Sequence, residues 1–266
     1  GEYFKRQLNP CLSERRYFTT GDLAENNTST QPIEFNGYKL GLLMGEDLQQ
    51  AAAIQAAYAA KADLLIAVSA SPWHEGLHLE RLQLAQKVSQ QAQLPLIFCN
   101  QVGGQGEVVF DGASFALNAN GEVLALAPVL EEASLSLTFL VTKQNKQLSS
   151  PTQQLANWPD ELAYLYGVLV LGLKSYVNNR GFKGVVLGMS GGLDSALSAA
   201  IAVDALGASR VLGIMLPYHY TAAISQEDAA EQAQLMGINF EVMPIAPLVE
   251  SFTQVLSPCF ANLTKQ

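Results

Sequence analysis

The sequence has 266 residues, of which 49% are hydrophobic and 15% charged, and its formal net charge is −9. This length predicts two domains with sizeable cores. The acidic balance excludes duplex nucleic acid as a main partner, because no overall basic surface would neutralise its phosphates. The 3 cysteines lie far apart without a CxxC pair, so neither a disulfide framework nor a zinc knuckle is indicated and a cytoplasmic location is expected. No apolar run reaches the ~18 residues of a membrane span.

The first half of the chain alternates strand-like and helix-like segments. Two strand-like runs, 33–35 and 38–44, flank Asn36-Gly37, which is typical of a two-residue hairpin turn. The pattern then predicts, in order, a helix over 47–61, a strand over 64–68, a helix over 77–93, a strand over 96–99, a loop at Gly103-Gly104, a second hairpin of strands 108–117 and 122–126, and a strand over 135–141. Such an alternation, with strands apolar on both faces, indicates an α/β sandwich.

A composition shift separates the two halves. Residues 142–157 are rich in Lys, Gln, Asn, Ser and Pro, and we expect a linker there, between domains 1–141 and 158–266. The second half predicts a helix over 158–178, then strand 184–188, helix 195–206, strand 210–216, helix 226–236 and strand 240–245. This order is that of a doubly wound parallel sheet, in which ligands bind at the carboxyl ends of the strands.

The stretch that indicates a ligand-binding site follows the first strand of the second half. It reads Gly188-Met-Ser-Gly-Gly-Leu-Asp-Ser195. A strand, a glycine turn and a helix N-terminus direct backbone N–H groups and the positive end of the helix dipole at one spot. The glycines leave room for a phosphate group, and the serines add hydroxyl donors. Asp194 would repel a phosphate unless a cation lies between them. The pattern therefore predicts a nucleotide pyrophosphate held through Mg²⁺.

Three other interpretations compete for these residues. The Walker pattern fails, because no Gly-Lys-Ser/Thr ends the loop. Gly188-Met-Ser-Gly-Gly192 matches the nucleophile elbow of hydrolases, with Ser190 as nucleophile and His219 as the only downstream histidine, but this interpretation leaves Asp194 and Ser195 unexplained. A glycine turn without a ligand is the third interpretation. Elsewhere, His74-Glu75-Gly-Leu-His78 matches the zinc-protease string, but Gly76 favours a loop-to-helix junction there instead.

The full string Ser190-Gly-Gly-Leu-Asp-Ser195 resembles the signature of the ATP pyrophosphatases, or PP-loop enzymes. Downstream, Gly213-Ile-Met-Leu-Pro217, Ser225-Gln-Glu-Asp-Ala229 and Leu235-Met-Gly-Ile238 resemble the second strand and helix of NAD synthetases. Upstream, Ser69-Ala-Ser-Pro-Trp-His74, Asn100-Gln-Val-Gly-Gly-Gln105 and Val109-Phe-Asp-Gly-Ala-Ser-Phe115 resemble a nitrilase-like glutaminase domain. This domain order resembles that of the glutamine-dependent NAD synthetases, and the resemblance covers nearly the whole chain.

The resemblance implies ATP-dependent amidation of deamido-NAD, through an acyl adenylate that ammonia attacks. It implies that ATP binds at Gly188, Met189, Ser190, Gly191, Gly192, Leu193, Asp194 and Ser195, and that Asp194 also ligates Mg²⁺. The acidic net charge argues against a nucleic acid partner and the lack of a long apolar run argues against a membrane partner, whereas the nitrilase-like relatives suggest a homo-oligomer. The family's early catalytic glutamate and its remaining substrate-binding residues find no counterpart between residues 1 and 266, so the chain is expected to be part of a longer polypeptide.

The glutaminase pattern is broken at several positions. Lys5 matches the family's catalytic lysine, but Gly45 stands where the nucleophilic cysteine is expected. Ser71 lies in the glutamine-binding string, and Leu77 stands where the family has a glutamine-binding lysine. Cys99, expected in the core, offers no replacement. We therefore expect free ammonia to be the nitrogen source. A non-catalytic, nucleotide-binding paralogue is the alternative, which the intact Asp194 argues against.

Overall fold

The computed structural model describes residues 32–59, 61–141, 146–151 and 155–260. The chain divides into two compact units, Gly1–Val168 and Leu169–Gln266. Within the described ranges, no helix is both long enough and apolar enough to cross a membrane.

The first unit is organised around one mixed sheet. Its elements are β1 (Ile33–Phe35), β2 (Tyr38–Met44), a 3-10 helix (Gly45–Gln49), α1 (Ala51–Ala59), β3 (Leu64–Ser69), α2 (Leu77–Ala92), β4 (Leu96–Asn100), β5 (Val102–Gln105), β6 (Val108–Asp111), β7 (Phe115–Leu117), β8 (Val123–Leu126), β9 (Thr138–Val141) and β10 (Lys146–Ser149). Six strands run in the order β1-β2-β3-β4-β7-β8, with β2, β3 and β4 parallel. The carboxyl ends of these three strands therefore meet at one edge.

Apolar side chains cover both faces of this sheet. Leu65 and Leu96 pack with Ala85 of α2 in one cluster, whereas Leu64 packs with Leu148 of β10 in the other. The neighbours Leu64 and Leu65 belong to opposite clusters because successive side chains of a strand point to opposite faces. The layered α/β architecture predicted from the sequence is confirmed.

The first predicted hairpin is confirmed and the second is partly wrong. Phe35 pairs with Tyr38 across Asn36 and Gly37, both of which have positive φ, as a tight hairpin turn requires. The predicted strand 108–117 is two strands, because Gly112 and Ala113 at φ 69° and 53° break it. The first piece, β6, pairs with β5, which occupies the predicted Gly103-Gly104 loop.

Two other predicted segments differ from the structure. The helix expected over 47–61 is a 3-10 helix followed by α1, because Gln50 between them is extended (φ −96°, ψ 110°). The expected linker contains β10, which pairs with β9 and buries Leu148 to 3% exposure. Leu148 thereby joins the apolar cluster that contains Leu64. Cys99, expected in the core, is exposed.

The second unit follows the predicted order of strands and helices. The remaining elements are α3 (Glu161–Asn179), β11 (Val185–Gly188), α4 (Leu193–Leu206), a 3-10 helix (Ala208–Arg210), β12 (Val211–Met215), α5 (Ala223–Met236), β13 (Asn239–Val242) and α6 (Ala246–Phe260). The division between the units falls inside α3. The strands β11, β12 and β13 are parallel neighbours in that order. Fully buried alanines, Ala199 of α4 and Ala229 of α5, let both helices approach the sheet closely.

Candidate functional site

The glycine loop lies at the junction of β11 and α4, at the carboxyl end of a parallel strand. Met189 continues the ladder, because its N–H donates to the Ile214 carbonyl at 2.8 Å, and its side chain is 2% exposed within the core. Only the backbone of Met189 therefore faces the loop. Leu193, in contrast, is 81% exposed at the first position of α4.

The loop turns at Gly191, where the backbone has a φ of 79°. A Cβ atom there would lie 2.3 Å from the carbonyl oxygen of Ser225 in α5, so only glycine fits this close approach. At Gly188, by contrast, a Cβ atom would meet nothing within 4 Å. The loop thus rests against α5 on one side and is open beside Gly188, where a phosphate group has room.

The loop serines occupy the backbone donors in this structure. The Ser190 N–H donates to Ser195 Oγ and the Gly192 N–H donates to Ser190 Oγ, both at 3.2 Å. The two hydroxyl oxygens lie 3.1 Å apart, and Ser195 Oγ donates to the Gly192 carbonyl at 2.9 Å. Phosphate oxygens are stronger acceptors than hydroxyls, so an anion could take over these N–H groups.

The first turn of α4 adds donors and one acid. Gly192 is its N-cap and provides no side-chain cap, so the first N–H groups of α4 remain available to an anion. Asp194 lies in this turn and is exposed. In the described part of the chain there is no cluster of three or more metal-ligating side chains. A single carboxylate beside a phosphate site nevertheless suits Mg²⁺, which typically takes one or two carboxylates together with phosphate oxygens.

The geometry does not favour Ser190 as a hydrolase nucleophile. Among the hydrogen bonds of the described residues, the Ser190 hydroxyl pairs with Ser195 and Gly192 and not with a histidine. His219 instead faces Glu250, with 3.7 Å between Nε2 and Oε1. The zinc-protease alternative fails as well, because α2 begins only at Leu77, after Gly76 at φ 79°.

Three of the predicted glutaminase positions meet at one pocket of the first unit. Gly45, Ser71 and Leu77 line a cavity of about 420 Å³ beside the carboxyl ends of β2 and β3, together with Glu80 and Arg81. Gly45 follows β2 directly and has a φ of 53°. Lys5, the fourth predicted position, lies outside the described residues.

A buried ionic network, which no motif of the sequence indicates, extends from this pocket. Arg81 donates to both oxygens of Asp111, at 2.9 and 2.5 Å, and the two residues are 6% and 0% exposed. Asn100 donates to Asp111 Oδ1 at 3.1 Å, and the Tyr164 hydroxyl donates to Oδ2. Burial and this bond to a carboxylate raise the pKa of Tyr164, so its hydroxyl stays protonated as the donor.

Aromatic rings surround the Tyr164 end of the network. The ring of Trp73 lies 5.8 Å from that of Tyr164, and the ring of His78 lies 4.5 Å from Trp158 and 5.5 Å from Tyr164. Burial and the positive charge of Arg81 lower the pKa of His78 from 6.5. His78 is therefore a neutral aromatic member of this cluster at neutral pH.

Acidification is expected to weaken the first unit through His78. The unfolded chain takes up a proton near the ordinary pKa of 6.5, whereas the folded protein resists it to lower pH. Stability contributed by neutral His78 is thus fully present above pH 6.5 and is lost as the pH falls through the folded pKa. The urea midpoint should fall more between about pH 7 and about pH 5.5 in the wild type than in His78→Phe, which keeps a ring but cannot titrate. An equal fall in both proteins would contradict this role.

Comparison with known proteins connects both units to one family. Residues 1–140 match the model of the carbon-nitrogen hydrolases and residues 165–266 match that of NAD synthase. The glutamine-dependent NAD(+) synthetase of Acinetobacter baylyi is 39% identical over 98% of this chain and 47% of its own length. The chain belongs to the glutamine-dependent NAD(+) synthetase family.

Other glutamine-dependent NAD(+) synthetases extend this finding. That of Xylella fastidiosa strain 9a5c is 33% identical over 98% of this chain and 47% of its own length. The structure of the Acinetobacter baumannii enzyme in complex with ADP superposes with a TM-score of 0.86 at 37% identity, over 98% of this chain and 48% of that one. The chain spans about half the length of the curated relatives that it matches.

Proposed function

We propose that the protein carrying this sequence forms NAD from deamido-NAD, ATP and ammonia, and releases AMP and pyrophosphate. The observation that supports this proposal is the loop from Gly188 to Ser195 at the end of β11. This loop combines a glycine turn, a helix N-terminus without a side-chain cap, and the exposed carboxylate of Asp194. Family membership supports the choice of reaction. A decayed, non-catalytic paralogue would have no reason to keep Asp194.

The proposed chemistry has two steps. A carboxylate oxygen of the nicotinate attacks the α-phosphorus of ATP and pyrophosphate leaves; ammonia then attacks the acyl carbon and AMP leaves. The first step needs stabilisation of the charge that builds up on the departing pyrophosphate. The backbone N–H groups of Ser190 and Gly192 and the first turn of α4 are the groups that we assign to this role. Mg²⁺, held by Asp194, would supply neutralising charge beside them.

We further propose a domain boundary between the two family matches, which end at residue 140 and begin at residue 165. The first domain would pack within a homo-oligomer, as the sequence analysis expects for a nitrilase-like fold. The second would act without nucleic acid. The described cysteines, Cys99 and Cys259, are free thiols, which supports the expected cytoplasmic location.

Replacing Asp194 by alanine is expected to lower NAD formation by about a hundredfold or more, because the departing pyrophosphate loses its neutralising cation. The fold should persist, because Asp194 is exposed on the first turn of a helix. The measurement is NAD production by the full-length protein from deamido-NAD, ATP, Mg²⁺ and ammonium. Normal turnover by the variant would refute the assignment.

Ser190→Ala is the matched control for the hydrolase alternative. Loss of one phosphate-binding hydroxyl should cost far less than loss of a nucleophile, which costs on the order of a million-fold. Labelling of Ser190 by a fluorophosphonate would support the hydrolase instead. A wild-type protein that binds ATP but forms no NAD would support the non-catalytic alternative.

A further inference from the structure

One polar side chain behind the glycine loop lies outside every motif of the sequence. Gln232, in the third turn of α5, donates from Nε2 to the Gly191 carbonyl at 3.1 Å. The same face of α5 carries Ser225, whose carbonyl excludes any Cβ at Gly191, and the fully buried Ala229. These positions are four and three residues apart, the spacing of one helix face. The helix therefore contacts the loop over more than one turn.

The hydrogen bond from Gln232 determines how one peptide of the loop is oriented. Gly191 C=O and Gly192 N–H belong to the same planar trans peptide, so they point in opposite directions. With the carbonyl held towards α5, the N–H points away from the helix, where it meets Ser190 Oγ at 3.2 Å. A flip of this peptide would turn the carbonyl towards the proposed phosphate site and the donor away from it. Glycine on both sides offers little steric resistance to such a flip.

The other end of the same amide has no partner within the described part of the chain. Among the described residues, Gln232 Oε1 is a buried oxygen without a hydrogen-bond partner. Exchanging the amide nitrogen and oxygen would place an oxygen against the Gly191 carbonyl, so the assignment with Nε2 as donor holds. The Gly191 carbonyl is therefore the protein group that this amide binds, through its nitrogen.

We propose that Gln232 is a positioning residue of the nucleotide site, which holds the Gly191–Gly192 peptide with its N–H towards the pyrophosphate of ATP. This inference rests on the proposed function. The residue does not touch the ligand itself; it acts through Gly191. Its contribution is therefore confined to the part of ATP that the loop binds.

The test compares the affinities of ligands that contain a pyrophosphate group, which the loop is proposed to bind, with the affinity of AMP, which lacks that group. Gln232→Met keeps the length and removes the donor, and it should raise the dissociation constants of Mg²⁺-ATP and of inorganic pyrophosphate about three- to tenfold, the effect of one lost hydrogen bond. The dissociation constant of AMP, which lacks the pyrophosphate, should stay unchanged. Titration calorimetry on the full-length protein measures all three ligands.

Gln234→Met is the matched control, because Gln234 is an exposed glutamine of the same helix. It should bind every ligand as the wild type does. Equal weakening of AMP and pyrophosphate in Gln232→Met, or no weakening of either, would overturn the inference. The hydrogen–deuterium exchange rate of the segment containing Gly192 can be measured without nucleotide, and it reports directly on whether the Gly191–Gly192 peptide is held in place. If the wild type binds no ATP, the proposed function fails, but the positioning role is still tested by the exchange rate of this segment. Faster exchange in Gln232→Met than in the wild type would support that role. An unchanged exchange rate would overturn it.

Discussion

Replacing Asp111 by alanine is expected to lower the free energy of unfolding of the first unit by about 3–5 kcal/mol, because it leaves the Arg81 guanidinium buried without its counter-ion. Arg81 is 6% exposed and donates to both carboxylate oxygens of Asp111, so the variant loses both of these charge-assisted hydrogen bonds. The donors of Asn100 and Tyr164 lose their acceptor as well. Urea unfolding followed by tryptophan fluorescence suits this measurement, because the rings of Trp73 and Trp158 lie 5.8 and 6.5 Å from that of Tyr164.

Two further variants separate the buried network from a general effect of lost charge. Glu131 is an exposed carboxylate of the same unit, and Glu131→Ala should change the free energy of unfolding by no more than about 0.5 kcal/mol. The double variant Arg81→Met/Asp111→Leu removes both charges and should recover much of the loss, since a buried charge without a partner is worse than none. A loss in Asp111→Ala as small as that in Glu131→Ala would contradict the assigned role.

The glycine loop between β11 and α4 could be located from the sequence because its signals are local. A β-branched run, three glycines and an alanine-rich segment follow one another directly, and the structure places β11, the turn at Gly191 and α4 in that order. The helix begins at Leu193, two residues earlier than expected, because Gly192 serves as the N-cap without a side chain that would mark it. The ligand roles of these residues remain predictions.

The contacts that support both candidate sites could not be predicted, because they join residues far apart in sequence. Arg81 and Asp111 are separated by 30 residues, Asp111 and Tyr164 by 53, and Gly191 and Gln232 by 41. Spacing within α5 places Ser225 and Gln232 on one face, but nothing in the sequence states which loop that face meets. The burial of Arg81 would have indicated the network, because a buried arginine needs a partner of opposite charge. The exposure of a side chain cannot, however, be deduced from a single sequence.

Segments with weak local preference were also missed. Gly103 and Gly104 have low strand propensity, and their strand β5 forms only because β6 pairs with it. The helix α6 was not predicted, although Leu248, Phe252 and Val255 recur at helical spacing; all three are exposed. Tertiary pairing determines strand β5, whereas the sequence of helix α6 does carry a helical periodicity that predicts it.

Glutamine is expected to support NAD formation at a rate on the order of a million-fold below that of an intact glutaminase, because Gly45 offers no side chain for attack on the amide. Cys99 is a poor substitute, since partial desolvation raises the pKa of its thiol, although the residue is exposed, and thiolate is the reactive form. In the described part of the chain, the hydroxyls of Ser69 and Ser71 form no hydrogen bond to a carboxylate or imidazole that would activate them. Leu77, on the wall of the same pocket, also lacks the charge that would hold a glutamine carboxylate.

The measurement is NAD formation by the full-length protein with ammonium and, separately, with glutamine, while released glutamate is followed. Ammonium reaches the acyl adenylate by diffusion as ammonia, so it should support turnover without the first unit's pocket, and it serves as the internal control. Cys99→Ser should leave the ammonium-dependent rate unchanged and provides the matched control for any residual glutamine-dependent rate. Comparable rates from glutamine, with glutamate released in step, would show that another residue performs the attack and that Gly45 does not mark a lost nucleophile.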